Sequence, residues 1–509
     1  MGKLGRGNTY YVDSQYGSDD HHGKSPQKAW KSIERANRQM FMPGDTLLFK
    51  KGQVFGGLLK PQMKRTGDAR FVIASYGDGE KPTIDGQGSL PAAVWMYNLQ
   101  NFEIIDLRIV NQAPQRRAKM AGLKVEIDNY GIAKNIALRN LDVENVNGLL
   151  EKQKGGGCGI LIENGGKETI SIFNGLLIEG CTIRRCERNA IRFGAYWSRQ
   201  EWNPNLNVVI RKNLIEEVPG DGIVPIGCDG ALIEHNVMRN CTRLLPLGEA
   251  AAGIWPWSCD NTVIQFNEVS DHKAPWDGQG FDSDWNCRHT IIQYNYSHDN
   301  EGGFVLVCND GGVGSDYSVG NTGTIVRYNV SLNDGIRRHR THAGVFSPVV
   351  HFAGPAKQTQ FYNNLIIHAG QLADTLDNRF IHFSGWGGMP GDTRFANNVF
   401  VSHTPTEIDL AGCQGIEFAN NLFSGVFGHM PTQNGNIYSL PNGKEWQLLT
   451  PSPKGFEGLG MFKSRSDFEG LGKGIKVDGL PPSDFFGNSI SGKVWNIGID
   501  QTEFSTINH

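Results

Sequence analysis

One short phrase returns along this chain and limits its fold more than any overall composition. It consists of apolar or β-branched residues, a variable pair, an asparagine, and two or three further strand formers. It reads NVVIRKNLIEEV from Asn207, GALIEHNVMRNC from Gly230, NTVIQFNEVSDH from Asn261 and HTIIQYNYSHDN from His289. It returns as GTIVRYNVSLND from Gly323, TQFYNNLIIHAG from Thr359, DTRFANNVFVSH from Asp392 and GIEFANNLFSGV from Gly415. The marked residues are Asn213, Asn236, Asn267, Asn295, Asn329, Asn364, Asn398 and Asn421, spaced by 23 to 35 residues, with weaker copies at Asn140 and Cys181. That period is too long for a hairpin, and no helical pattern separates the copies. Each copy holds two strand-like runs meeting at the asparagine. A third run follows a glycine: GIVPI at Gly222, GIWPW at Gly253, GFDSDW at Gly280, GGFVLV at Gly302 and GVFSP at Gly344. Three strands per turn predict the coil of a parallel β-solenoid. Asparagine tolerates left-handed backbone, so the marked residues are expected at the tight corners. Their stacked amides are expected to bond from coil to coil.

A solenoid changes what the length means. The 509 residues would make three or four globular domains at roughly 150 residues each, but a solenoid grows by adding coils. The expectation is one elongated all-β domain of about ten or more coils. Residues 1–60 form an N-terminal cap, 61–430 the coils and 431–509 a C-terminal capping segment. The near balance of 49 basic and 52 acidic residues provides no field for gripping nucleic acid. No run of apolar residues is long enough to span a membrane. The start, Met1 to Asn8, has no apolar stretch of the signal-peptide kind.

Nine cysteines, an odd number spread over the chain, make a poor disulfide framework. Cys228, Cys259, Cys287 and Cys413 each precede a marked asparagine by eight residues, which fits small apolar side chains filling corners. The glycosylation sequons at Asn240, Asn295 and Asn329 read as chance matches, since two of them begin on buried ladder positions.

The ends depart from the repeat, as open solenoid ends require. TYYVDSQYGSDD reads as a strand and turn. SPQKAWKSIERANRQM reads as one amphipathic helix with Ser25 as N-cap, Pro26 following, and Ala29, Ile33 and Ala36 on its apolar face. After Asn421 the repeat fades into a Gly/Pro/Ser-rich stretch ending in DFFGNSISGKVWNIGID, which is expected to close the other end. The opening YYVDSQYGSDD…GKSPQKAWKSIERAN…PGDTLLFKKG and the closing DFFGN…NIGID resemble the ends of right-handed parallel β-helix proteins of the pectate-lyase-like superfamily. The resemblance covers nearly the whole chain and implies that fold. It is less specific for activity, because the superfamily holds glycoside hydrolases, polysaccharide lyases, uronan epimerases and non-catalytic binding spikes.

In that superfamily the sugar groove usually follows the first strand of each coil, here the glycine-led one. Alternation then places Ile223, Ile254, Phe281, Phe304 and Val345 inward and Val224, Trp255, Asp282, Val305 and Phe346 outward. Arg192 falls one coil before and His382 one coil after, while Trp257 and Asp284 lie two residues further on. The segment from Ala274 to Phe304 is the densest, with Asp277, Asp282, Asp284, Asp299 and Glu301 on neighbouring coils. Glycoside hydrolysis needs two carboxyl groups, and neighbouring strands allow the shorter of the two usual separations. Asp282 or Asp284 is expected as nucleophile or base and Glu301 as general acid. Trp255, Trp257, Trp276, Trp285 and Trp386 lie on or beside the glycine-led strands, most of them expected to face outward for sugar stacking. The run Arg337, Arg338, His339, Arg340 and His342 enters the groove, where Arg340 and His342 could bind an acidic sugar.

These residues favour a glycoside hydrolase on a polysaccharide or oligosaccharide, needing no cofactor. The alternatives are a polysaccharide lyase on a uronic-acid polymer and a non-catalytic glycan-binding β-helix. In the lyase reading, calcium is held by Asp277, Asp282 and Asp284, with Lys273 or Arg340 as base. The coils lack the adjacent Asp-Asp motif of polygalacturonases, the one such pair being Asp19-Asp20 near the N-terminus, and the chain lacks their Gly-His-Gly motif and the Asp-Pro-His motif of uronan epimerases. A secreted, periplasmic or cell-surface monomer is the expected form.

Overall fold

The computed structural model describes residues 7–65, 67–311, 319–368, 377–431, 435–439, 451–492 and 494–503. By its contacts the chain divides into two compact units, 1–249 and 250–509, and each is a run of parallel β-helix coils. In the first unit one sheet runs from Thr9–Val12 through Thr46–Lys50, Phe71–Tyr76, Phe102–Ile105 and Ile132–Arg139 to Ile172–Glu179, Asn205–Arg211 and Leu232–Glu234. A second, five-stranded sheet holds Ala92–Tyr97, Ala121–Asp128, Cys158–Gly165, Asn189–Gly194 and Ile223–Val224. In the second unit Val263–Gln265, Ile291–Gln293, Ile325–Arg327, Thr359–Tyr362, Thr393–Ala396 and Ile416–Ala419 follow one another as parallel neighbours. The sheet that carries the site is Gln279–Ser283, Gly303–Cys308, Val350–Ala353 and Arg379–Ser384.

Parallel in-register pairing puts like residue over like, so inward side chains form columns. Phe352 stacks on Phe383 with ring centroids 4.6 Å apart, and Phe395 on Phe418 at 4.5 Å. The asparagine ladder is the polar counterpart. Asn267, Asn295, Asn329, Asn364 and Asn398 each donate both the backbone N–H and Nδ2 to the Oδ1 of the next ladder asparagine, at 2.9 to 3.0 Å. Asn213 does the same to Asn236 in the first unit. In the second unit the ladder continues one step past Asn421, to Asn436.

The left-handed corner is not the asparagine itself. Positive φ falls on the preceding residue: Lys212 (56°), His235 (55°), Phe266 (54°), Tyr294 (55°), Tyr328 (49°), Asn363 (51°), Asn397 (55°) and Asn420 (53°). A non-glycine residue there costs about 1–2 kcal/mol, and the ladder's paired amide bonds offset it. This corrects the expected corner position. The type of the αL residue is therefore free, and in the second unit it supplies an outer aromatic stack, Phe266 on Tyr294 at 5.0 Å and Tyr294 on Tyr328 at 6.0 Å.

The expected N-terminal helix is broken in two: a 3-10 turn at Pro26–Lys28 and an α-helix at Ile33–Asn37. Between them Trp30 is drawn into the sheet, its N–H donating to Tyr11 O at 2.9 Å and its carbonyl accepting from Asp13 N at 2.8 Å. Ser25 makes no cap bond; Ser32 does, its side chain accepting from Arg35 N at 3.1 Å. The apolar face survives the break, with Ala29, Ile33 and Ala36 all buried. At the C-terminal side, Leu459, Ile497 and Ile499 pack along the flank of the coils, against Tyr296, Leu332, Val399 and Leu422. Tyr296 Oη and Asn333 Nδ2 anchor that segment, donating to Pro453 O at 2.7 Å and Ser452 Oγ at 2.9 Å. The stretch 440–450 of the expected capping segment lies outside the described residues.

None of the nine cysteines forms a disulfide, and Cys228, Cys259 and Cys287 are fully buried. The sequon residues Asn295 and Asn329 are likewise buried on the ladder, whereas Asn240 is exposed. Among the described residues no helix is long and apolar enough to cross a membrane.

Candidate active site

Alternation along the glycine-led strands of the second unit builds two outward rows. Coil-to-coil pairing aligns Asp282, Leu306, His351, His382 and Asp409 in one row. Two residues further on, Cys308, Ala353 and Ser384 are aligned next to Asp284. The carboxylate pair thus lies at i and i+2 of one segment, Asp282 in the strand Gln279–Ser283 and Asp284 just past its end, rather than across two neighbouring strands.

The expected register fails at two places. At GGFVLV the paired residue beside Asp282 is Leu306, and Val305 faces the core between Phe281 and Val350. The doubled glycine is the cause. Gly303, at φ 121°, pairs with Gln279 rather than with Gly280, so matching the Gly303-Phe304 step to Gly280-Phe281 shifts the phase by one. At GVFSP the strand begins later, at Val350–Ala353. Its outward residue is His351, and Phe346 reaches the same cavity from the segment before it.

A cavity of about 510 Å³ opens over these rows. It is lined by three carboxylates, Asp277, Asp282 and Asp284, by Cys308, His351 and His382, and by Trp276, Phe346 and Trp386. Asp282 is almost closed off, at 3% exposure, while Asp277 and Asp284 are partly open. Trp276 and Trp386 are 37% and 50% exposed. Trp276 stacks on His342 with ring centroids 4.6 Å apart and lies parallel to Phe346 at 6.3 Å. Arg337 is fully buried beneath this wall and donates to the carbonyls of Ala274 at 2.6 Å and Asp277 at 2.7 Å. It thereby fixes the turn that presents Asp277, which sits at φ 60°. Gly302 is required there, since a Cβ would lie 1.8 Å from Asp277 O.

The two histidines are held neutral. Burial, reinforced by His382 and Arg379, pushes His351 down to about 3. Burial also lowers His382, although Asp409 Oδ2 lies 3.0 Å from its Nδ1. His351 Nε2 shares a hydrogen bond of 2.9 Å with Ser384 Oγ. Burial first, then the charge of Asp284, raises the Cys308 thiol well above its ordinary range. The cavity therefore combines acidic groups at one side with uncharged hydrogen-bonding groups at the other.

Of the other expected site residues, Glu301, Asp299, Arg340, Trp255 and Trp257 are not part of this lining. Asp299 sits at a corner (φ 56°) and binds His298 Nδ1 at 2.7 Å. Glu301 N donates to His272 O at 3.0 Å. Arg340 is exposed, and His342 touches the site through its stack on Trp276. Arg192 belongs to the first unit, paired with Leu161 and Val224. Trp255 and Trp285 are buried, and Trp257 packs on Trp285 at 5.1 Å, so of the five tryptophans Trp276 and Trp386 are the exposed ones. Sequence reasoning missed Leu306, Cys308, His351, Ala353 and Ser384. The run VVHFA was the available signal for His351, and period-two counting from Asp284's row would have reached Cys308.

Asp282, Asp284 and Cys308 offer one ligand atom each within 4.8 Å of one another. Calcium takes about six to eight oxygen ligands. Two carboxylates with a soft thiol do not fit that ion.

The profile of the family described as a right-handed β-helix region matches residues 158–333. Two crystal structures of GH136 lacto-N-biosidase from Eubacterium ramulus, native and selenomethionine forms, are similar over 85% of this chain and 68% of theirs. Their TM-scores are 0.57 and 0.59, at 21% and 22% identity. The fold is the right-handed parallel β-helix. In sequence the chain is 24% identical to a lacto-N-biosidase of Bifidobacterium longum subsp. longum, over 96% of this chain. The match spans 36% of that relative's length.

Proposed function

We propose that this protein is a glycoside hydrolase that cleaves an oligosaccharide in the cavity of its second unit. The observation that carries the reading is the meeting, in one cavity, of three carboxylates with two exposed tryptophans. Rings such as Trp276 and Trp386 suit the C–H faces of a sugar. Carboxyl groups suit the transfer of a proton to the leaving oxygen and the attack on the anomeric carbon. The likeness to lacto-N-biosidases supports the same class.

In this reading Asp284 is the nucleophile or the base that activates water. Asp277 protonates the leaving-group oxygen, the role first expected of Glu301, because Asp277 lines the cavity, is partly open and stands on a separate short strand, Trp276–Asp277. Asp282 lies beside Asp284 on the same face and disfavours a second ionised carboxylate there. The net reaction adds one water across the glycosidic bond and draws on no cofactor. The protein acts as a monomer outside the cytoplasm, secreted, periplasmic or at the cell surface, where such glycans are met.

A panel of oligosaccharides, beginning with those that a lacto-N-biosidase cleaves, tests this by mass spectrometry with and without chelator. Product masses that together exceed the substrate by one water are expected, unaffected by chelator. Unsaturated products without added water, or unchanged turnover in Asp277→Asn and Asp284→Asn, would overturn it.

A further inference from the structure

We infer that Cys308 is a positioning residue for Asp284, its thiol acting as the hydrogen-bond donor that aims this carboxylate and favours its charged form. The inference rests on the hydrolase reading above and deepens it. Cys308 Sγ donates to Asp284 Oδ1 at 3.0 Å, and the same oxygen accepts from Trp285 N at 2.5 Å. Cys308 is nearly fully buried yet lines the cavity.

Other buried cysteines use their thiols differently. Cys158 donates to Ile160 O at 3.1 Å, Cys287 to Pro256 O at 3.4 Å and Cys181 to Leu138 O at 3.7 Å. Those are small side chains filling corners over backbone carbonyls. Cys308 instead meets a carboxylate in the cavity. The backbone is arranged to keep the two together. Asn321 Nδ2 lies 3.1 Å from both Asp284 O and Cys308 O, and 2.6 Å from Ser283 O, tying together the ends of the two strands.

A thiol suits this place. It remains protonated beside the acids, since burial and the neighbouring charges oppose its ionisation. It therefore donates without bringing a positive charge that would quench a nucleophile or base. The titratable groups that line the cavity with Asp284, among the described residues, are Asp282 two residues before it, Asp277 on the Trp276–Asp277 strand, Cys308, and the neutral His351 and His382 on the strands beyond. Cys308 is a donor at hydrogen-bond distance from the carboxylate, so its loss is expected to be felt in the ionisation of Asp284.

The test compares Cys308→Ala, Cys308→Val and Cys308→Ser with Asp284→Asn in the full chain, measuring kcat, KM and the pH dependence of kcat/KM. Removing the donor in the alanine and valine variants is expected to lower kcat about ten- to a hundredfold, the scale of a hydrogen bond to a charged group, with KM little changed. The acid limb of the profile moves to higher pH, because the lost donor favoured the ionised form. Serine, which keeps a donor, restores both. Valine keeps the volume, so a purely structural role would leave its acid limb unmoved. Wild-type kcat and an unmoved limb in the alanine or valine variant, or a serine variant as impaired as valine, would overturn the inference while an inactive Asp284→Asn left the hydrolase reading standing. Full turnover in Asp284→Asn would overturn both.

Discussion

The same kind of sheet handles its acids in two ways. In the first unit, the outward rows of the five-stranded sheet align Trp95, Lys124, Leu161 and Arg192, and beside them Tyr97, Glu126 and Glu163. There the acids are met by lysine: Lys124 Nζ is 2.8 Å from Glu126 and 2.7 Å from Glu163. Trp95 donates to Glu126 at 2.9 Å and is covered by Lys60 Nζ at 3.5 Å from its ring. In the second unit, the corresponding rows put Asp284 against a thiol and a backbone N–H, within a cavity whose tryptophans are open. A face of paired charges and covered rings is closed to ligand. One that holds a carboxylate with neutral donors keeps it available for reaction.

The strongest way to break this contrast is to remove one acid from each face. Asp284→Asn is expected to lower kcat by about a thousandfold, the range of a lost acid, base or nucleophile. Glu163→Gln, which removes a partner of Lys124, is expected to leave kcat unchanged. Steady-state kinetics on the two variants decide it, and comparable losses in both would erase the distinction.

Charge handling in the first unit extends to its interior, and stability measures it. Arg188 is fully buried, with Nη1 3.2 Å from Asp221 and Nη2 3.1 Å from Glu249. Arg188→Met strands two carboxylates and is expected to cost about 3–5 kcal/mol, read as a lowered denaturation midpoint. Kinetic constants measured well below that midpoint stay as in the wild type.

The second unit has a buried charge cluster too, but it titrates. His298 stands between Glu268 (3.2 Å) and Asp299 (2.7 Å), and these acids raise it from 6.5 to about 9 against the effect of burial. A histidine raised on folding stabilises fully below its unfolded pKa, and that contribution fades as pH climbs through the folded value. The window is therefore pH 6.5 to about 9, with on the order of 3 kcal/mol at stake. The melting temperature of the wild type is expected to fall across that window more than that of His298→Gln. Parallel curves would remove the histidine from the account.

The coil repeat was open to sequence reading because each ladder asparagine makes the same bonds in every coil, which forces the same residue at the same place. The corner residue was not. Phe266, Tyr294 and Tyr328 disfavour left-handed backbone, and nothing local marks them as αL. Asp282 and Asp284 were legible through simple alternation, since a strand fixes which residues share a face. Leu306 and His351 were lost to one extra glycine and one late strand start, either of which reverses the faces of everything downstream. The exclusion of Glu301 from the cavity was out of reach, because the walls at Ala343, Phe346, Gly385 and Trp386 come from irregular segments without a period.

The smallest effect sharpens the contrast between the two tryptophan settings. Trp276 is open in the cavity and stacked on His342, whereas Trp95 is covered by Lys60. Stacking of this kind is worth about 0.5–1.5 kcal/mol beyond area burial, so Trp276→Ala is expected to raise KM several-fold with a smaller change in kcat. Trp95→Ala removes packing under two lysines and is expected to leave KM where it was. Since Trp276 also lies beside Asp277, Trp276→Phe separates the roles: a ring retained should keep KM near the wild type. If the phenylalanine variant binds as poorly as alanine, Trp276 serves to hold the Asp277 turn rather than to receive a sugar.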